Sequence, residues 1–350
     1  MEAKNTPIRV LIVEDSLVAR ELLVSILQSA PDFQVIATAR NGVEAVRLTK
    51  RLQPDVVAMD VYMPEMDGLE ATRRIMAETP RPIVMVSASF SKNENTLSFD
   101  ALQSGALSIL EKPTIDDPPE THKFLVDQLK LMSEVKVVRR WNRSRYPSDH
   151  ISVPKPATFA KNGKTKIQLL TIASSTGGPG ILAKILNELP ADFSVPVLIV
   201  QHIMSGFSSG LATWLNQLVS LEVRLARHTD EPQPGQVLIA PDNHHMLVND
   251  KGLIALSQEP PQNGLRPAAN YLFNSVAEVY GATAIGVILT GMGGDGAEGL
   301  LALRETGAHT IAQDEASCVV FGMPAVAIEL GAAEQILPAD KITAAVMKLV

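Results

Sequence analysis

Residues 56–69 read VVAMDVYMPEMDGL, and this stretch decides the fold of the first half of the chain. Its opening VVAM is a short apolar run that includes β-branched residues, which is typical of a strand buried on both faces of a parallel sheet. The run ends at Asp60, and the proline and glycine that follow predict a turn before a helix. An acidic side chain is therefore expected at the carboxyl end of a central strand.

Four further apolar runs flank this strand and alternate with amphipathic stretches of helical periodicity. The regular alternation predicts about five parallel strands, covered by helices on both faces, in one α/β domain. We bound this domain at residues 1–141. Its predicted strands span residues 9–13, 35–39, 56–59, 83–86 and 108–110.

The apolar pattern stops over residues 142–165, where Arg, Ser, Pro, Lys and Asn accumulate as in a linker. It resumes over residues 166–350, for which we predict a second, doubly wound and mostly parallel α/β domain. Short broken runs over residues 236–256 predict antiparallel hairpins inserted in that pattern. The other predicted strands of this half span residues 167–173, 197–200, 222–226, 284–289 and 309–313, and a helix is predicted over residues 180–188.

The composition argues against several classes of protein. A net charge of -7 over 350 residues argues against a nucleic-acid-binding output. No apolar run is long enough to span a membrane, and the N-terminus has no signal-peptide core, so we expect a soluble, cytoplasmic protein. The single cysteine, Cys318, cannot form an internal disulfide, and its apolar neighbours predict a buried, inert thiol.

Five polar residues of the first domain stand at the ends of predicted strands. They are Glu14, Asp15, Asp60, Ser87 and Lys112. Because the carboxyl ends of parallel strands converge on one crevice, these side chains are expected to meet. Three carboxylates could hold a hard divalent cation, one of them could attack a phosphoryl donor, and the hydroxyl and ammonium could bind phosphoryl oxygens. A single strand-end acid is more often a helix cap, but five positions in register favour phosphorylation of Asp60.

These residues, with the segment that follows Asp60, closely resemble the receiver domains of two-component response regulators. The resemblance implies a flavodoxin-like, five-stranded parallel sheet and phosphorylation of Asp60 by a histidine kinase, here one of a chemotaxis pathway. It also implies a Mg²⁺ site formed by Glu14, Asp15, Asp60 and the Tyr62 carbonyl.

The resemblance assigns Ser87 and Lys112 to the switch that responds to phosphorylation. Receivers commonly carry an aromatic residue three positions before the lysine, and Ile109 stands there in this chain. The sequence therefore leaves open which side chain relays the signal.

In the second domain, a segment reading IASSTGGP lies between a predicted strand and a predicted helix. Its small residues permit a sharp turn, on which a serine would expose its hydroxyl near a helix N-terminus that favours negative charge. Ser174, Ser175 or Thr176 could instead only cap the helix, and this segment alone does not decide. His202 directly follows the next predicted strand and could act as a base, although a lone histidine there is more often structural.

A glycine-rich loop, TGMGGDG, follows a later apolar strand and contains Asp295, which could orient the histidine. The loop also has a rival interpretation. Gly291, Gly293 and Gly296 satisfy G-x-G-x-x-G between a strand and a helix, and Asp314 follows at a spacing typical of a dinucleotide-binding fingerprint. That interpretation gives the serine segment no role.

The serine segment, the histidine and the glycine-rich loop together closely resemble the chemotaxis protein-glutamate methylesterases of the response-regulator, or CheB, type. The matching segments are residues 175–178, 201–202, 290–296 and 316–324, with a weaker match at 265–268. The resemblance implies Ser175 as nucleophile, His202 as general base and then acid, and Asp295 as its orienter. It also implies an oxyanion site near Thr176 and the Met292 backbone N–H.

The choice of Ser175 over Ser174 rests on this resemblance and not on spacing. The resemblance further implies hydrolysis of glutamyl methyl esters on methyl-accepting chemotaxis receptors, deamidation of glutamines by the same acyl chemistry, and no cofactor in this domain. We expect phosphorylation to activate the enzyme, because a flexible tether would let an unphosphorylated receiver cover the serine cleft. The alternatives are a response regulator with a non-catalytic binding output and a dinucleotide-binding oxidoreductase.

Overall fold

The computed structural model describes residues 6–87, 104–135, 137 and 166–350. The chain divides into two compact units, Met1–Asp149 and His150–Val350, each built around a parallel sheet of its own. The predicted fold class is therefore confirmed. The predicted linker, residues 142–165, lies outside the described residues.

The sheet of the first unit has five parallel strands in the order β2-β1-β3-β4-β5. These strands are β1 (Ile8–Val13), β2 (Phe33–Ala39), β3 (Val56–Met59), β4 (Ile83–Ser87) and β5 (Ser108–Glu111). The described helices span Leu17–Ser29, Gly42–Leu52, Gly68–Glu78 and Pro119–Ser133. Every residue of β3 and β4 is buried, which explains why their sequences are apolar throughout and do not alternate.

Polar side chains fix where two of these helices begin. Asn41 accepts a hydrogen bond from the Glu44 N–H, and Asp67 accepts one from the Glu70 N–H. Each bond satisfies an amide that the start of a helix would otherwise leave unpaired. The turns after β2 and β3 are thereby fixed at the carboxyl edge of the sheet.

The sheet of the second unit has seven parallel strands in the order β14-β13-β12-β6-β7-β9-β8. They are β6 (Leu169–Ser174), β7 (Val197–Gln201), β8 (Glu222–Leu225), β9 (Gln236–Ile239), β12 (Ala284–Ile288), β13 (His309–Gln313) and β14 (Gln335–Leu337). A separate antiparallel pair consists of β10 (His245–Val248) and β11 (Ile254–Ser257). The α-helices span Gly178–Asn187, Ser208–Leu218, Ala269–Val279, Ala297–Glu305, Met323–Glu329 and Ala339–Leu349.

Two details of this unit differ from the prediction. β9 is not part of a hairpin but a parallel strand inserted between β7 and β8, and only β10 and β11 pair antiparallel. Three of the four β9 residues are buried, as suits a strand inside a parallel sheet. β14 was not predicted, because a half-buried strand of three residues carries too short a pattern to detect.

Apolar packing joins two helices that matter for the site. Leu272 and Phe273 of the helix Ala269–Val279 are fully buried, and they belong to the same core cluster as Leu300 of the helix Ala297–Glu305. This packing holds the two helices side by side on the sheet. Among the helices of the described ranges, none is both long and apolar enough to cross a bilayer.

Each sheet has a point at which the order of its strands reverses. β1 lies between β2 and β3, and β6 lies between β12 and β7. In open parallel sheets a crevice forms at the carboxyl ends of the strands that flank such a point. The candidate residues follow β1 and β3 in the first unit and β6, β7 and β12 in the second.

Candidate functional site

The crevice of the first unit is acidic. Glu14 and Asp15 follow β1, Asp60 follows β3, and one carboxylate oxygen of each lies within 4.8 Å of the others. Lys112, which follows β5, places its Nζ 2.7 Å from Glu14 Oε2 and 2.9 Å from Asp60 Oδ2. Three oxygen donors at this spacing could bind a hard divalent cation.

The two buried acids of this crevice are incompletely neutralised. Burial raises the pKa of Glu14 and that of Asp60 above their ordinary values, and hydrogen bonding to Lys112 only partly offsets the rise. Neighbouring carboxylates add to it, since Asp60 acts on Glu14 and Asp15 acts on Asp60. A cation bound here would favour the charged forms of both side chains.

Backbone contacts fix the positions of these acids. Arg20 donates from Nη1 to the carbonyl oxygens of Glu14 and Asp15, at 2.7 and 3.1 Å. Gly68 passes so close to Asp60 that a Cβ there would lie 2.0 Å from the Asp60 carbonyl oxygen, and only glycine fits. The acidic loops are therefore held in place by the fold around them.

The other residues predicted for this crevice lie around it. Ser87 ends β4, is 3% exposed, and accepts the Lys112 N–H at its carbonyl oxygen over 2.8 Å. Tyr62, two residues beyond Asp60, is exposed. Ile109 lies half-buried on β5, where its aliphatic side chain can pack but cannot hydrogen-bond.

Ser175 lies on the turn between β6 and the helix Gly178–Asn187 and is half-buried. Its N–H donates to the Thr290 carbonyl at 3.0 Å, and its carbonyl accepts from the Gly178 N–H at 2.8 Å. A Cβ on Gly291 would lie 2.6 Å from Ser175 Cβ, so glycine is required where these two loops meet.

Ser174 has a different environment. It is 0% exposed, and its Oγ donates to Gln201 Oε1 over 2.6 Å. Gln201 Nε2 in turn donates to the carbonyl oxygens of Ser175 and His202, at 2.8 and 2.7 Å. One carboxamide thus ties the serine segment to the histidine segment, and the Ser174 hydroxyl is both engaged and inaccessible.

His202 and Asp295 form a buried pair, with His202 Nε2 placed 2.8 Å from Asp295 Oδ2. Asp295 also accepts from the N–H groups of Ala269 and Asn270, at 2.5 and 3.1 Å. Burial alone would raise the pKa of Asp295, but hydrogen bonds and the attraction of His202 hold it below its ordinary value. Because an ionised carboxylate only accepts, His202 carries its proton on Nε2, and Nδ1 is left as the basic nitrogen.

The structure brings the predicted Ser-His-Asp set together in part. Within residues 166–350, no hydrogen bond joins Ser175 Oγ to His202, and such contacts often tighten only when substrate binds. Thr176 is half-buried, and the Met292 side chain is 52% exposed. In the same range, no acceptor is bonded to the backbone N–H of Thr176 or of Met292.

Thr290 joins the loops that surround Ser175. Its Oγ1 donates to the Thr176 carbonyl at 3.0 Å and accepts from the N–H groups of Val319 and Val320, at 3.0 and 2.9 Å. Gln313, which is 0% exposed, accepts the Thr290 N–H through its Oε1. Hydrogen bonds therefore join Thr290 to two loops and to the end of β13.

Cys318 lies in the same region. It was predicted to be buried, but it is half-buried. Burial and the nearby charge of Asp314 raise the pKa of its thiol to about 12, so the thiolate that would react is scarce at neutral pH.

The glycine-rich loop is not available to a dinucleotide. The N–H groups of Gly296 and Gly299, which a bound pyrophosphate would need, both donate to Asn270 Oδ1, at 3.0 and 2.9 Å. Asp314 accepts from the N–H and hydroxyl of Ser317 and so caps a local turn. The dinucleotide-binding interpretation is therefore wrong.

Comparison with known proteins agrees with this geometry. A model of the response regulator receiver domain matches residues 10–125, and a model of the CheB methylesterase domain matches residues 170–346. The chain belongs to the CheB methylesterase family. A CheB-type relative from Nitrosospira multiformis, named protein-glutamate methylesterase/protein-glutamine glutaminase, is 47% identical over 98% of this chain and 97% of its own length.

Two further CheB-type proteins extend the comparison. A protein of the same name from Syntrophus aciditrophicus is 46% identical, with 98% of each chain covered. The solved structure of the Thermotoga maritima CheB methylesterase catalytic domain is 39% identical and has a TM-score of 0.51. It covers 53% of this chain and 100% of that domain, so the second unit has the CheB catalytic fold.

Some residues that hold the CheB-type site together were missed from the sequence. Asn270 and Gln313 are buried amides whose side-chain oxygens accept from backbone N–H groups 23 to 29 positions away along the chain. An asparagine at the start of a helix is read as a local cap, and no spacing rule links it to a distant loop. Arg20 was missed for a different reason: its partners are only five and six residues away, but they are backbone oxygens, which the sequence pattern does not mark.

Proposed function

We propose that this chain hydrolyses methyl esters of glutamyl side chains on methyl-accepting chemotaxis receptors, and that phosphorylation of its receiver domain activates the reaction. The observation that carries the proposal is the buried His202–Asp295 pair at the same sheet edge as the half-buried Ser175. The names of its relatives from Nitrosospira and Syntrophus include methylesterase and glutaminase activities. The same acyl chemistry would convert receptor glutamine to glutamate with release of ammonia.

The proposed reaction follows the chemistry of serine hydrolases. Ser175 Oγ attacks the ester carbonyl carbon, and its proton passes to His202 Nδ1, the nitrogen that Asp295 leaves free. The imidazolium returns this proton to the methoxide, which departs as methanol. Water then attacks the acyl-enzyme by the same steps, releasing glutamate and Ser175. Ionised Asp295 stabilises the imidazolium in both halves of the reaction.

Two backbone amides are proposed to stabilise the oxyanion that forms on the ester carbonyl. The N–H groups of Thr176 and Met292 have no acceptor among residues 166–350. Thr176 follows Ser175 in the chain, and Met292 follows Gly291, on which a Cβ would lie 2.6 Å from Ser175 Cβ. An amide without a partner at a catalytic edge can donate to a developing negative charge, and one such donor contributes about 10²–10³ in kcat in other hydrolases.

Ser175 is proposed as the nucleophile in preference to Ser174. The Ser174 hydroxyl is fully buried and donates to Gln201, so attack would require that it leave a hydrogen bond in the core. Ser175 is accessible, and its backbone is fixed at both its N–H and its carbonyl. The preference that rested on family resemblance thus gains independent geometric support.

In the receiver domain, Asp60 is proposed to accept a phosphoryl group from a chemotaxis histidine kinase. The spacing of the oxygen donors of Glu14, Asp15 and Asp60 supports a Mg²⁺ site, and we propose the Tyr62 carbonyl, which the resemblance to receiver domains implies, as a fourth donor. When bound, Mg²⁺ would neutralise the charge that gathers on the transferred phosphoryl oxygens. The incompletely neutralised carboxylates of this crevice support the assignment.

Ser87 and Lys112 are proposed to bind the phosphoryl oxygens once Asp60 is modified. Lys112 already lies 2.9 Å from Asp60 Oδ2, so its ammonium can pass from the carboxylate to the new phosphoryl group. We propose domain limits of 1–141 and 166–350 with a linker over 142–165. Both reactions would occur in the cytoplasm, where phosphodonor and Mg²⁺ are available.

The proposal is tested by methanol release from methylated receptor. Wild type, Ser175→Ala and Ser174→Ala are compared with and without a small-molecule phosphodonor and Mg²⁺. Ser175→Ala is expected to lose about 10⁵–10⁶ in kcat, as in other hydrolases without their nucleophile. Ser174→Ala is expected to remain within about threefold of wild type, since it loses one hydrogen bond of about 1 kcal/mol.

Full activity in Ser175→Ala would contradict the site assignment. Phosphodonor is expected to raise the activity of wild type and leave that of Asp60→Asn unchanged. If Asp60 were phosphorylated but neither wild type nor any variant released methanol, the chain would instead be a response regulator with a non-catalytic binding output.

A further inference from the structure

Two helix N-termini meet behind the catalytic pair, and each is capped by a side chain from the other segment. Asp295, just before the helix Ala297–Glu305, accepts the N–H groups of Ala269 and Asn270 in the first turn of the helix Ala269–Val279. Asn270 Oδ1 accepts the N–H groups of Gly296 and Gly299, at 3.0 and 2.9 Å.

Neither helix has a cap of its own. The residues that precede them, Ala268 and Gly296, make no side-chain cap hydrogen bond. The N-terminal amides that each helix start leaves unpaired are instead satisfied by the reciprocal pair of Asp295 and Asn270. Asn270 is 4% exposed, so water could not readily replace its carboxamide.

The two caps differ in what they do for the reaction. The Asp295 carboxylate contacts His202, whereas the Asn270 side-chain oxygen accepts from the backbone N–H groups of Gly296 and Gly299, which follow Asp295 in the chain. Gly296 is the next residue after Asp295 and has φ +86°, so its N–H direction fixes how the aspartate leaves the loop. The side chain that holds this N–H therefore helps to fix the backbone from which the Asp295 carboxylate extends.

We propose that Asn270 is a positioning residue for ester hydrolysis, holding the Asp295 loop so that the carboxylate aligns the His202 ring toward Ser175. This inference rests on the proposed function. A neutral carboxamide suits the position because it offers an acceptor to two amides without placing a second negative charge beside Asp295. Asn270 itself contacts neither the substrate nor the reacting atoms.

The test compares Asn270→Ala, Asn270→Asp and Asn274→Ala in the full chain, with kcat and KM for methanol release measured separately. Asn274 lies one turn further along the same helix and is exposed, so its substitution is the matched control. Asn270→Ala is expected to lower kcat by about 10²-fold with KM unchanged, because misplacing a catalytic group costs about this much. Asn274→Ala is expected to match wild type.

Asn270→Asp supplies the rescue. It keeps acceptor oxygens for both amides, so its plateau kcat is expected within about fivefold of wild type, a small loss compared with misplacement of the group. Its added negative charge favours the protonated form of the His202–Asp295 pair, which cannot act as a base, so the acid limb of the kcat profile should move to higher pH. If Asn270 contributed only to folding, its substitution would neither lower kcat at unchanged KM nor shift the acid limb of the pH profile.

Unchanged kcat in Asn270→Ala, an equal loss in Asn270→Asp, or a change confined to KM would each overturn the proposal. If Asn270→Ala does not fold, Asn270→Ser takes its place, because its shorter hydroxyl cannot reach both amides, and it is judged by the same split. Ser175→Ala is measured alongside, so that failure of the proposed function can be distinguished from failure of the positioning role of Asn270. Its retained activity would refute the proposed function, whereas loss there with a fully active Asn270→Ala would refute only the positioning role.

Discussion

The two crevices of this chain occupy equivalent places on two parallel sheets, yet the pKa values of their buried carboxylates are shifted in opposite directions. In the receiver, burial raises the pKa values of Glu14 and Asp60, and one ammonium faces three acids. In the catalytic domain, Asp295 is buried to a similar degree, but two backbone amides and His202 hold its pKa below the ordinary value.

The difference separates carboxylates whose environment is completed by bound ligands from one whose hydrogen-bond donors are in place before substrate arrives. Carboxylates that lack enough hydrogen-bond donors are poised to bind a cation and a phosphoryl group. A carboxylate whose oxygens already accept hydrogen bonds from fixed donors is preorganised and needs no rearrangement of its own during catalysis. One edge of the fold therefore serves a switch in the first domain and a hydrolase in the second.

The largest expected effect comes from removal of the preorganised charge. Asp295→Asn is expected to lower kcat by about 10⁴-fold, because an amide in place of the carboxylate favours the wrong histidine tautomer, as in other Ser-His-Asp hydrolases. The measurement is single-turnover methanol release. Glu298→Gln, an exposed acid three positions later, is the control and should retain wild-type activity. Wild-type kcat in Asp295→Asn would break the contrast between the crevices.

A smaller loss is expected when the amide between serine and histidine is removed. Gln201→Ala eliminates hydrogen bonds to Ser174, Ser175 and His202, so both segments lose their shared support. We expect kcat to fall by about 10–10²-fold with little change in KM, since the reacting groups are only displaced. The measurement is kcat and KM for methanol release, with Gln217→Ala, an exposed glutamine on the helix Ser208–Leu218, as the control. A loss confined to KM would contradict this expectation.

Acid is expected to change the stability of the two domains with opposite sign. A carboxyl whose pKa is raised on folding, such as Glu14 or Asp60, stabilises below its unfolded pKa and loses that contribution as pH rises through the folded value. Asp295 stabilises above its unfolded pKa and loses that contribution only as pH falls through its lowered value.

Calorimetry of the full chain in chelator would resolve these two dependences. From neutral pH down to the range where ordinary carboxyls titrate, the receiver transition should move upward relative to the catalytic one. Mg²⁺ should reverse the trend for the receiver, because it binds the charged acids and so stabilises most at higher pH. Asp60→Asn should weaken both the pH dependence of the receiver transition and its reversal by Mg²⁺. An equal pH dependence of the two transition temperatures would contradict the opposite signs expected for the two domains.

The smallest expected effect on hydrolysis comes from the lone thiol. With a pKa of about 12, Cys318 should react with iodoacetamide far more slowly than an exposed cysteine, whose thiolate is much more abundant at neutral pH. Neutral alkylating agent should therefore leave methanol release unchanged over times that fully modify a reference thiol. Rapid modification at neutral pH, followed by mass spectrometry, would show that the thiol is more accessible than its setting indicates.

Most of the fold followed from apolar runs, because strands buried on both faces leave an unbroken pattern such as that of β3 and β4. β9 was assigned to the wrong partner, because the turn residues on its carboxyl side are typical of a hairpin. The local sequence does not show whether a strand pairs in parallel or antiparallel. β14 was too short for any pattern. The predicted site residues Asp60 and His202 directly follow the ends of β3 and β7, and Asp295 lies in the loop after β12, two residues before the helix Ala297–Glu305.

What the sequence could not provide was the shell of groups that supports those residues. Asn270 and Gln201 act through hydrogen bonds to backbone atoms of distant loops, and such bonds depend on position in space rather than on residue spacing. The choice between Ser174 and Ser175 was equally beyond spacing. It depends on which hydroxyl turns inward to Gln201, which only the packed structure reveals.

The backbone of Ser175 is held by Thr290, and β6 is completed on one side by β12, which is synthesised much later. On the ribosome, a nascent chain that ends before β12 would contain the serine and the histidine but neither the strand that supports them nor Asp295. Esterase activity should therefore appear abruptly late in translation, after the receiver has had time to fold. In a series of nascent chains stalled on the ribosome at increasing lengths, the length at which ester hydrolysis first appears would show when the second sheet is complete.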